Sequence, residues 1–216
     1  MDRADGIASR IWEGVGSKLF LIEASEFALT WQGGVIALHI ATHSSEAASR
    51  FIIVNSAAPK PVKPSGNAFY SKEWPINLWQ GMLDPVAFFP DTTVGNAGLC
   101  RYVKLYSAMP KDGVTRDVVR AQREAIKAAY QSPDIYDRLG EIESPVLILV
   151  GTHAGEGPGT YDLLSKLQTA VLTAFSDAAH GAVFQHSLLV AATIDRFLET
   201  DFDLPEANRA GMLTSS

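Results

Sequence analysis

The residue in this sequence that is best suited to chemistry is His180. It stands between two small residues, Ala179 and Gly181, shortly after an apolar run that ends at Phe175. A histidine in such a loop can reach into a cleft and transfer protons, since imidazole gains and loses a proton near neutral pH. The same position also suits a histidine that only hydrogen-bonds the backbone, so the residues alone leave both roles open.

The other histidines are weaker candidates. His39 and His43 stand four residues apart in a predicted helix, which would place both on one face, as in some metal sites. No glutamate follows His39 and no third ligand is evident, so ordinary core or surface histidines are the favoured interpretation. His153 and His186 are interpreted as hydrogen-bonded residues of a loop and of a helix start.

A glycine-rich stretch follows the third predicted strand. Its glycines stand at positions 151, 155, 157 and 159, which matches neither the Gly-x-x-x-x-Gly-Lys-Ser/Thr loop that binds phosphates nor the Gly-x-Gly-x-x-Gly pattern. The single cysteine, Cys100, excludes an intrachain disulfide and a zinc site built from several cysteines. We therefore predict neither a cofactor nor a metal ion.

Four short apolar runs predict the strands of a sheet. They are residues 18–22, 50–55, 145–150 and 170–175. The predicted helices are residues 7–13, 27–41, 117–130, 161–168 and 187–199. Short apolar runs that alternate with helices favour a parallel sheet that is buried on both faces. The predicted fold class is therefore α/β, with ligands expected at the carboxyl ends of the strands.

The segment after Asn55 interrupts this alternation. Residues 57–98 are rich in proline, glycine and aromatic residues, and their periodicity is weak. This segment is the natural candidate for a cap over the carboxyl ends of the strands. Its aromatic residues are interpreted as the core of the cap or, alternatively, as the lining of a substrate site; they include Trp74, Trp79, Phe88 and Phe89.

Several segments resemble the α/β-hydrolase family. They are residues 132–142, 145–151, 179–181 and 184–186, together with 33–38 and 50–56. The resemblance covers about residues 18–198 and implies a parallel sheet with flanking helices and a mostly helical cap. It implies a core of residues 1–56 and 132–202, a cap of residues 57–131 and a tail of residues 203–216. In this family His180 would be the histidine of a catalytic triad, acting first as base and then as acid.

The nucleophile position departs from the family's pattern. The family places a serine in a Gly-x-Ser-x-Gly turn between strand and helix, and this pentapeptide is absent from the sequence. Counting forward from the strand puts Ser25 in that position, whereas counting backward from Gly33 and Gly34 puts Trp31 there. Ser25 followed by Glu26 is also an ordinary helix N-cap, a role that is compatible with that of a nucleophile.

The acid position departs as well. Where the family's Gly-x-x-Asp pattern places an aspartate, this sequence has Gly151 followed by Ala154. Glu156, two residues further on, is the candidate replacement that would orient His180; its other interpretation is a solvated loop charge. Only 17 residues precede Lys18, so we expect the family's N-terminal strands and oxyanion loop to be missing.

Composition narrows the class of protein. The chain has 216 residues, of which 47% are hydrophobic and 19% are charged, and this excludes a disordered chain. The formal net charge is −6 and no basic run occurs, so we expect no nucleic-acid partner. No apolar run reaches the roughly 18 residues of a membrane span, and no secretory signal is visible, so we expect a soluble cytoplasmic protein.

These observations predict a serine hydrolase that acts on an ester-type bond in a small apolar molecule. Its catalytic residues would be Ser25, His180 and Glu156. The departures from the family's pattern motivate an alternative, a non-catalytic pseudo-hydrolase or incomplete gene product that binds a ligand or a partner. The strand at residues 18–22 would lack its inner neighbour, which adds an expectation of self-association through an exposed strand edge.

Overall fold

The structure of the chain is a computed structural model. It describes residues 19–21, 29–44, 48–60, 88–108, 116–154 and 157–202. Several predictions lie outside the described residues: those for Ser25, Glu156, Trp74, Trp79, the helix at residues 7–13 and the tail at residues 203–216.

The centre of the fold is a parallel sheet. Its described strands are β1 (Leu19–Leu21), β2 (Arg50–Val54), β3 (Val146–Gly151) and β4 (Ala170–Phe175). They lie in the order β1-β2-β3-β4, and each neighbouring pair is parallel. The register places Ile52 between Leu21 on one side and Leu147 on the other. The predicted α/β class is confirmed.

Helices precede and follow the strands along the chain. The described helices are α1 (Leu29–His43), α2 (Thr93–Ala108), α3 (Arg116–Gln131), α4 (Asp134–Arg138), α5 (Gly157–Lys166), α6 (Ala182–Gln185) and α7 (Ser187–Glu199). The 3₁₀ turns Leu139–Glu141 and Thr152–Ala154 stand before and after β3. Within the described residues, no helix combines the length and the apolar character that crossing a membrane requires.

Alternate residues of the central strands face opposite layers of helices. Phe51 and Ile53 pack in one hydrophobic core, which includes residues of α1 and α5. Ile52 and Leu147 pack in a second core, which includes residues of α7. Because helices cover both faces, the strands need apolar side chains at successive positions, and this explains the uninterrupted apolar runs in the sequence.

The first layer depends on a close approach between α1 and β2. A Cβ atom at Gly34 would overlap the side chain of Ser56 and press on Ile53. A glycine inside a helix costs about 1 kcal/mol relative to alanine. Here the missing side chain lets the helix lie against the end of β2, which is the reason for the glycine at this position.

The second layer rests on one face of α7. Val190, Ile194 and Phe197 follow a spacing that places them on the same side of a helix, and all three are buried. They pack with Ile52 and Leu147 of the sheet. Burial of a side chain of this size contributes on the order of 1.5–3 kcal/mol to folding. Helix α7, which follows the candidate histidine along the chain, is therefore packed against the face of the sheet that carries Ile52 and Leu147.

Two helical segments differ most from the prediction, one in its bounds and the other because no helix was predicted there. The predicted helix 161–168 begins at Gly157, because Pro158 lies in its first turn, where a missing N–H removes no hydrogen bond. Helix α2 was not predicted, since Gly95 and Gly98 lower the helix propensity of a weakly periodic segment.

The strand β1 lies at one end of the strand order in the described residues. Self-association through this edge stays a prediction, because the structure holds a single chain. Light scattering on the purified protein measures it directly.

We expect Gly34→Ala to lower the free energy of unfolding by about 1–3 kcal/mol, because the added methyl group overlaps Ser56. Gly140→Ala is the matched control, since a Cβ atom there meets only the carbonyl oxygen of Lys166, at 3.7 Å. Equilibrium unfolding in urea measures both variants. Equal stabilities for the two would contradict the close approach of α1 to β2.

Candidate active site

Three chain segments meet at the carboxyl edge of the sheet. Asn55 directly follows β2, the turn Thr152–Ala154 follows β3, and the loop of residues 176–181 follows β4. Ligands bind at this edge in open α/β sheets, because the strand ends and their loops form a crevice there. The loop of residues 176–181, called the histidine loop below, carries His180.

Each residue of the histidine loop takes part in a hydrogen bond. The first partners lie in the turn Thr152–Ala154 that follows β3. The carbonyl oxygen of Ser176 accepts bonds from Thr152 Oγ1 at 3.2 Å and from His153 Nε2 at 3.0 Å. The backbone N–H of His153 donates to the carbonyl oxygen of Ala178 at 2.9 Å. The interpretation of His153 as a hydrogen-bonded loop residue is confirmed.

The chain that follows the loop folds back and bonds to it. His186 Nε2 lies 2.7 Å from Asp177 Oδ1, and its ring stacks on Phe175 with centroids 5.2 Å apart. The amide of Gln185 donates to the carbonyl oxygen of Asp177 at 3.0 Å and accepts from the N–H of Ala179 at 3.4 Å. His186 is therefore hydrogen-bonded at the start of a helix, as predicted.

The segment predicted as a cap, residues 57–131 and called the insert below, contacts the far end of the loop through Phe88 and Phe89. The N–H of Gly181 donates to the carbonyl oxygen of Phe88 at 2.8 Å, and the Phe88 ring lies 5.2 Å from the His180 ring. Phe89 is buried, lies in the space that a Cβ atom on Gly181 would need, and packs on the ring of Tyr102. Phe89 thus belongs to the core of the insert, whereas Phe88 flanks the candidate histidine.

The guanidinium group of Arg101 in α2 hydrogen-bonds to the chain directly after the histidine loop. Arg101 Nη1 donates to the carbonyl oxygens of Phe184, at 2.9 Å, and Gln185, at 3.2 Å. The last carbonyls of a helix lack partners within it, and a guanidinium can satisfy them. Arg101 therefore joins α2 to the end of α6, directly after the histidine loop.

Asn55 connects all three segments of the edge. Its Nδ2 donates to the carbonyl oxygen of His180 at 2.8 Å, and its Oδ1 accepts from the N–H of Gly151 at 2.8 Å. Its own N–H donates to the carbonyl oxygen of Leu149 at 2.8 Å. The side chain is fully buried, so both polar groups of the amide are used inside the protein.

His180 lies in the histidine loop at the carboxyl edge of the sheet. The residue is half-buried, and its Nδ1 atom lies inside the protein. Part of the residue is exposed at the carboxyl edge of the sheet. The role of His180 as a site residue stays a prediction.

The other two predicted catalytic residues, Ser25 and Glu156, lie outside the described residues, so their roles stay predictions. Trp31 lies in the first turn of α1, two residues before Gly33. Ala154 is buried in the turn after β3, at the position where the resemblance expects the acid. Alanine thus stands where the resemblance expects an aspartate, and the two registers for the nucleophile position, Ser25 and Trp31, both stay predictions.

The pair His39 and His43 has a structural explanation. Their rings contact each other at 4.2 Å, and His43 Nε2 lies 2.8 Å from Asp134 Oδ2. This contact joins α1 to α4 on the surface. Within the described residues, no group of three histidine, cysteine, aspartate or glutamate side chains is arranged to hold a metal ion.

A second polar cluster lies on the surface beside α5. The pKa of Lys60 is raised above its usual value, because the Lys60 ammonium group hydrogen-bonds to Tyr136 and lies near the carboxylate of Asp162. The Tyr136 hydroxyl donates to Asp162 at 2.8 Å, and Lys166 Nζ lies 4.1 Å from the Tyr136 ring. The cluster contains none of the residues that hold the histidine loop.

Sequence reasoning did not single out Asn55 or Phe88 as individual site residues. A signal for Asn55 was present, because it is the first polar residue after a buried apolar run and asparagine tolerates positive φ better than most residues. Phe88 carried no such signal, since aromatic residues are frequent throughout the insert.

No protein-family model and no curated protein matches the sequence. Several solved structures are similar. An α/β hydrolase fold protein from Chitinophaga pinensis has a TM-score of 0.56 and 22% identity, and the match covers 78% of this chain and 62% of that chain. A lipase-esterase related protein from Clostridium acetobutylicum has a TM-score of 0.53 and 18% identity, with 77% and 63% covered. An α/β hydrolase enzyme from a Medee basin deep-sea metagenome library has a TM-score of 0.53 and 19% identity, with 80% and 65% covered.

The chain thus spans less than two thirds of the length of these similar structures, from 62% to 65%. At identities of 22% or less, the similarity concerns the fold alone.

We expect the Asp177–His186 contact to stabilise the loop by about 0.5–1.5 kcal/mol, since it is a short, partly buried hydrogen bond. A double-mutant cycle with Asp177→Asn and His186→Gln measures this coupling from unfolding free energies. The exposed pair Glu124 and Lys127, 3.7 Å apart, is the control and should couple weakly. Equal coupling in both pairs would contradict a special role for the buried contact.

Proposed function

We propose that this chain, which has the α/β-hydrolase fold, is a serine hydrolase that cleaves an ester-type bond in a small apolar molecule. The observation that carries the proposal is the placement of His180. It is half-buried at the carboxyl edge of the sheet, in a loop that is hydrogen-bonded at each residue. Such a loop holds an imidazole in one position without further ordering when a substrate binds, which favours proton transfer.

The proposed reaction is acyl transfer. Ser25 Oγ attacks the ester carbonyl while His180 takes the serine proton, and a tetrahedral oxyanion forms. The oxyanion collapses, His180 gives its proton to the leaving alcohol, and the acyl group stays on Ser25. Water then attacks the acyl group and gives its proton to His180, which returns it to Ser25 as the acid leaves. Glu156 would orient the imidazole.

The apolar character of the proposed substrate follows from the insert. The Phe88 ring lies 5.2 Å from the ring of His180 and is itself half-buried. A substrate that approaches His180 would meet this aromatic surface, and contact with a ring favours an apolar group over a charged one.

A second candidate function is ligand binding without turnover. It is favoured by Ala154, which is buried in the turn after β3 where the resemblance expects the acid, and which has no group to orient an imidazole. Loss of an orienting carboxylate lowers kcat by about 10⁴ in serine proteases. A chain with this substitution can keep its cleft and lose most of its catalysis.

A fluorophosphonate probe distinguishes the two candidate functions. We expect it to label the wild-type chain and to leave Ser25→Ala unlabelled, because the probe reacts with a hydroxyl that an adjacent base activates. His180→Ala should slow labelling by at least about 100-fold. Mass spectrometry of the labelled peptide gives the modified residue.

The matched control is Ser165→Ala, which removes an exposed serine in α5 and should label like the wild type. Absence of labelling in the wild type, together with calorimetric binding of an apolar ester, would support the binding function instead. Labelling of a residue other than Ser25 would contradict the proposed nucleophile.

We expect Phe88→Ala to lower kcat/KM for a hexanoate ester by about tenfold, since the ring contact contributes roughly 1–1.5 kcal/mol. Hydrolysis of the p-nitrophenyl ester, followed by absorbance, measures this change. Cleavage of the charged hemisuccinate ester should respond less. An equal loss for both esters would indicate that Phe88 only supports the loop.

A further inference from the structure

The amide side chain of Asn55 is the point at which the ends of β2 and β3 and the histidine loop are joined. It makes one bond to each of the two other segments, to Gly151 N–H and to the His180 carbonyl oxygen, both at 2.8 Å. The two partners are 96 and 125 residues away in the sequence. A single side chain thus links three segments that are far apart in the sequence.

The backbone at Asn55 is shaped for this role. Its φ angle is 47°, in the left-handed region, where a side chain other than that of asparagine, aspartate or glycine is disfavoured. Its own N–H still bonds to Leu149 of β3. The chain therefore leaves the sheet immediately after this bond, and the amide remains buried under the neighbouring loops.

Only an amide satisfies both partners. The carbonyl oxygen of His180 can only accept a hydrogen bond, and the N–H of Gly151 can only donate one, so the orientation of the amide is determined by its partners. Aspartate would keep the acceptor for Gly151 and would place a carboxylate oxygen against the carbonyl oxygen of His180. Glycine would keep the backbone conformation and remove both bonds.

The partners of Asn55 cannot separate easily. A Cβ atom on Gly151 would overlap the backbone of Ala178 and Ala179, so the end of β3 lies directly against the histidine loop. Asn55 bonds to Gly151 on one side of this contact and to the backbone of His180 on the other. A substitution at Asn55 would therefore alter the position of the His180 backbone.

We propose that Asn55 is a positioning residue: its buried amide holds the backbone of His180 against the end of β3 and thereby sets the position of the imidazole. The role in catalysis rests on the proposed function of His180, whereas the positioning itself is measurable in a chain without activity. Asn55 need not contact a substrate.

The experiment compares Asn55→Gly, Asn55→Asp and the control Thr160→Val. Thr160 is also fully buried, and its hydroxyl donates to the carbonyl oxygen of Ser56 at 3.3 Å, at the same edge of the sheet. The control thus removes a buried hydrogen bond without touching the histidine loop. Two measurements on each folded variant are hydrogen exchange of the Gly151 amide and the ¹⁵N spectrum of the His180 imidazole, assigned with His180→Gln.

We expect Asn55→Gly to speed exchange of the Gly151 amide by roughly tenfold or more and to shift the His180 imidazole signals. Asn55→Asp should shift the imidazole signals and leave Gly151 protected, because it retains the acceptor. Thr160→Val should change neither measurement beyond its overall loss of stability. If both Asn55 variants fail to fold, the wild-type Gly151 amide decides, since rapid exchange there overturns the proposal.

Fluorophosphonate labelling separates this proposal from the proposed function. If the wild type labels and Asn55→Gly labels at least about tenfold more slowly at equal folded fraction, both are supported. If the wild type does not label but the imidazole signals shift as expected, the positioning role stands and the hydrolase activity does not. Unchanged imidazole signals in both Asn55 variants overturn the positioning role, whatever the labelling.

Discussion

The carboxyl edge of this sheet depends on the hydrogen bonds of one buried amide. Asn55 bonds to two backbone groups, the carbonyl oxygen of His180 and the N–H of Gly151, and loss of a bond to a buried group costs about 1–3 kcal/mol. Both bonds need β2 and β3 in their observed register, because that pairing brings Asn55 beside Gly151. The position of the histidine loop therefore depends on the pairing of β2 with β3.

Small residues stand at the contacts that the rest of the fold requires. Gly34, Gly151 and Gly181 each occupy a place where a Cβ atom would overlap another segment. These contacts bring α1 to β2, β3 to the histidine loop, and the insert to the same loop. Glycine lowers the local structural propensity at these positions, and the close packing that it permits contributes favourable dispersion energy.

The sequence predicted the centre of the sheet well because the strands β2 and β3 are buried on both faces, which leaves uninterrupted apolar runs such as that of β3. Helix α2 could not be predicted, since Gly98, which its packing against Gln185 requires, removes the helical signal. The prediction for His180 rests on its small neighbours, one of which, Gly181, makes room for Phe89, and the role of His180 stays a prediction. The bonds of Asn55 could not be predicted, because they join residues whose proximity exists only in the folded sheet.

The hydrogen bonds of Phe88 and Arg101 limit how easily the insert could be exchanged for a segment of another protein. The insert meets the core through main-chain carbonyls at Phe88, Phe184 and Gln185, and not through side-chain packing alone. A chimera that exchanged this insert for that of another protein would have to reproduce a carbonyl opposite Gly181 and a cation at the end of α6. Divergence of the insert is therefore constrained at the residues of this junction, Phe88 and Arg101.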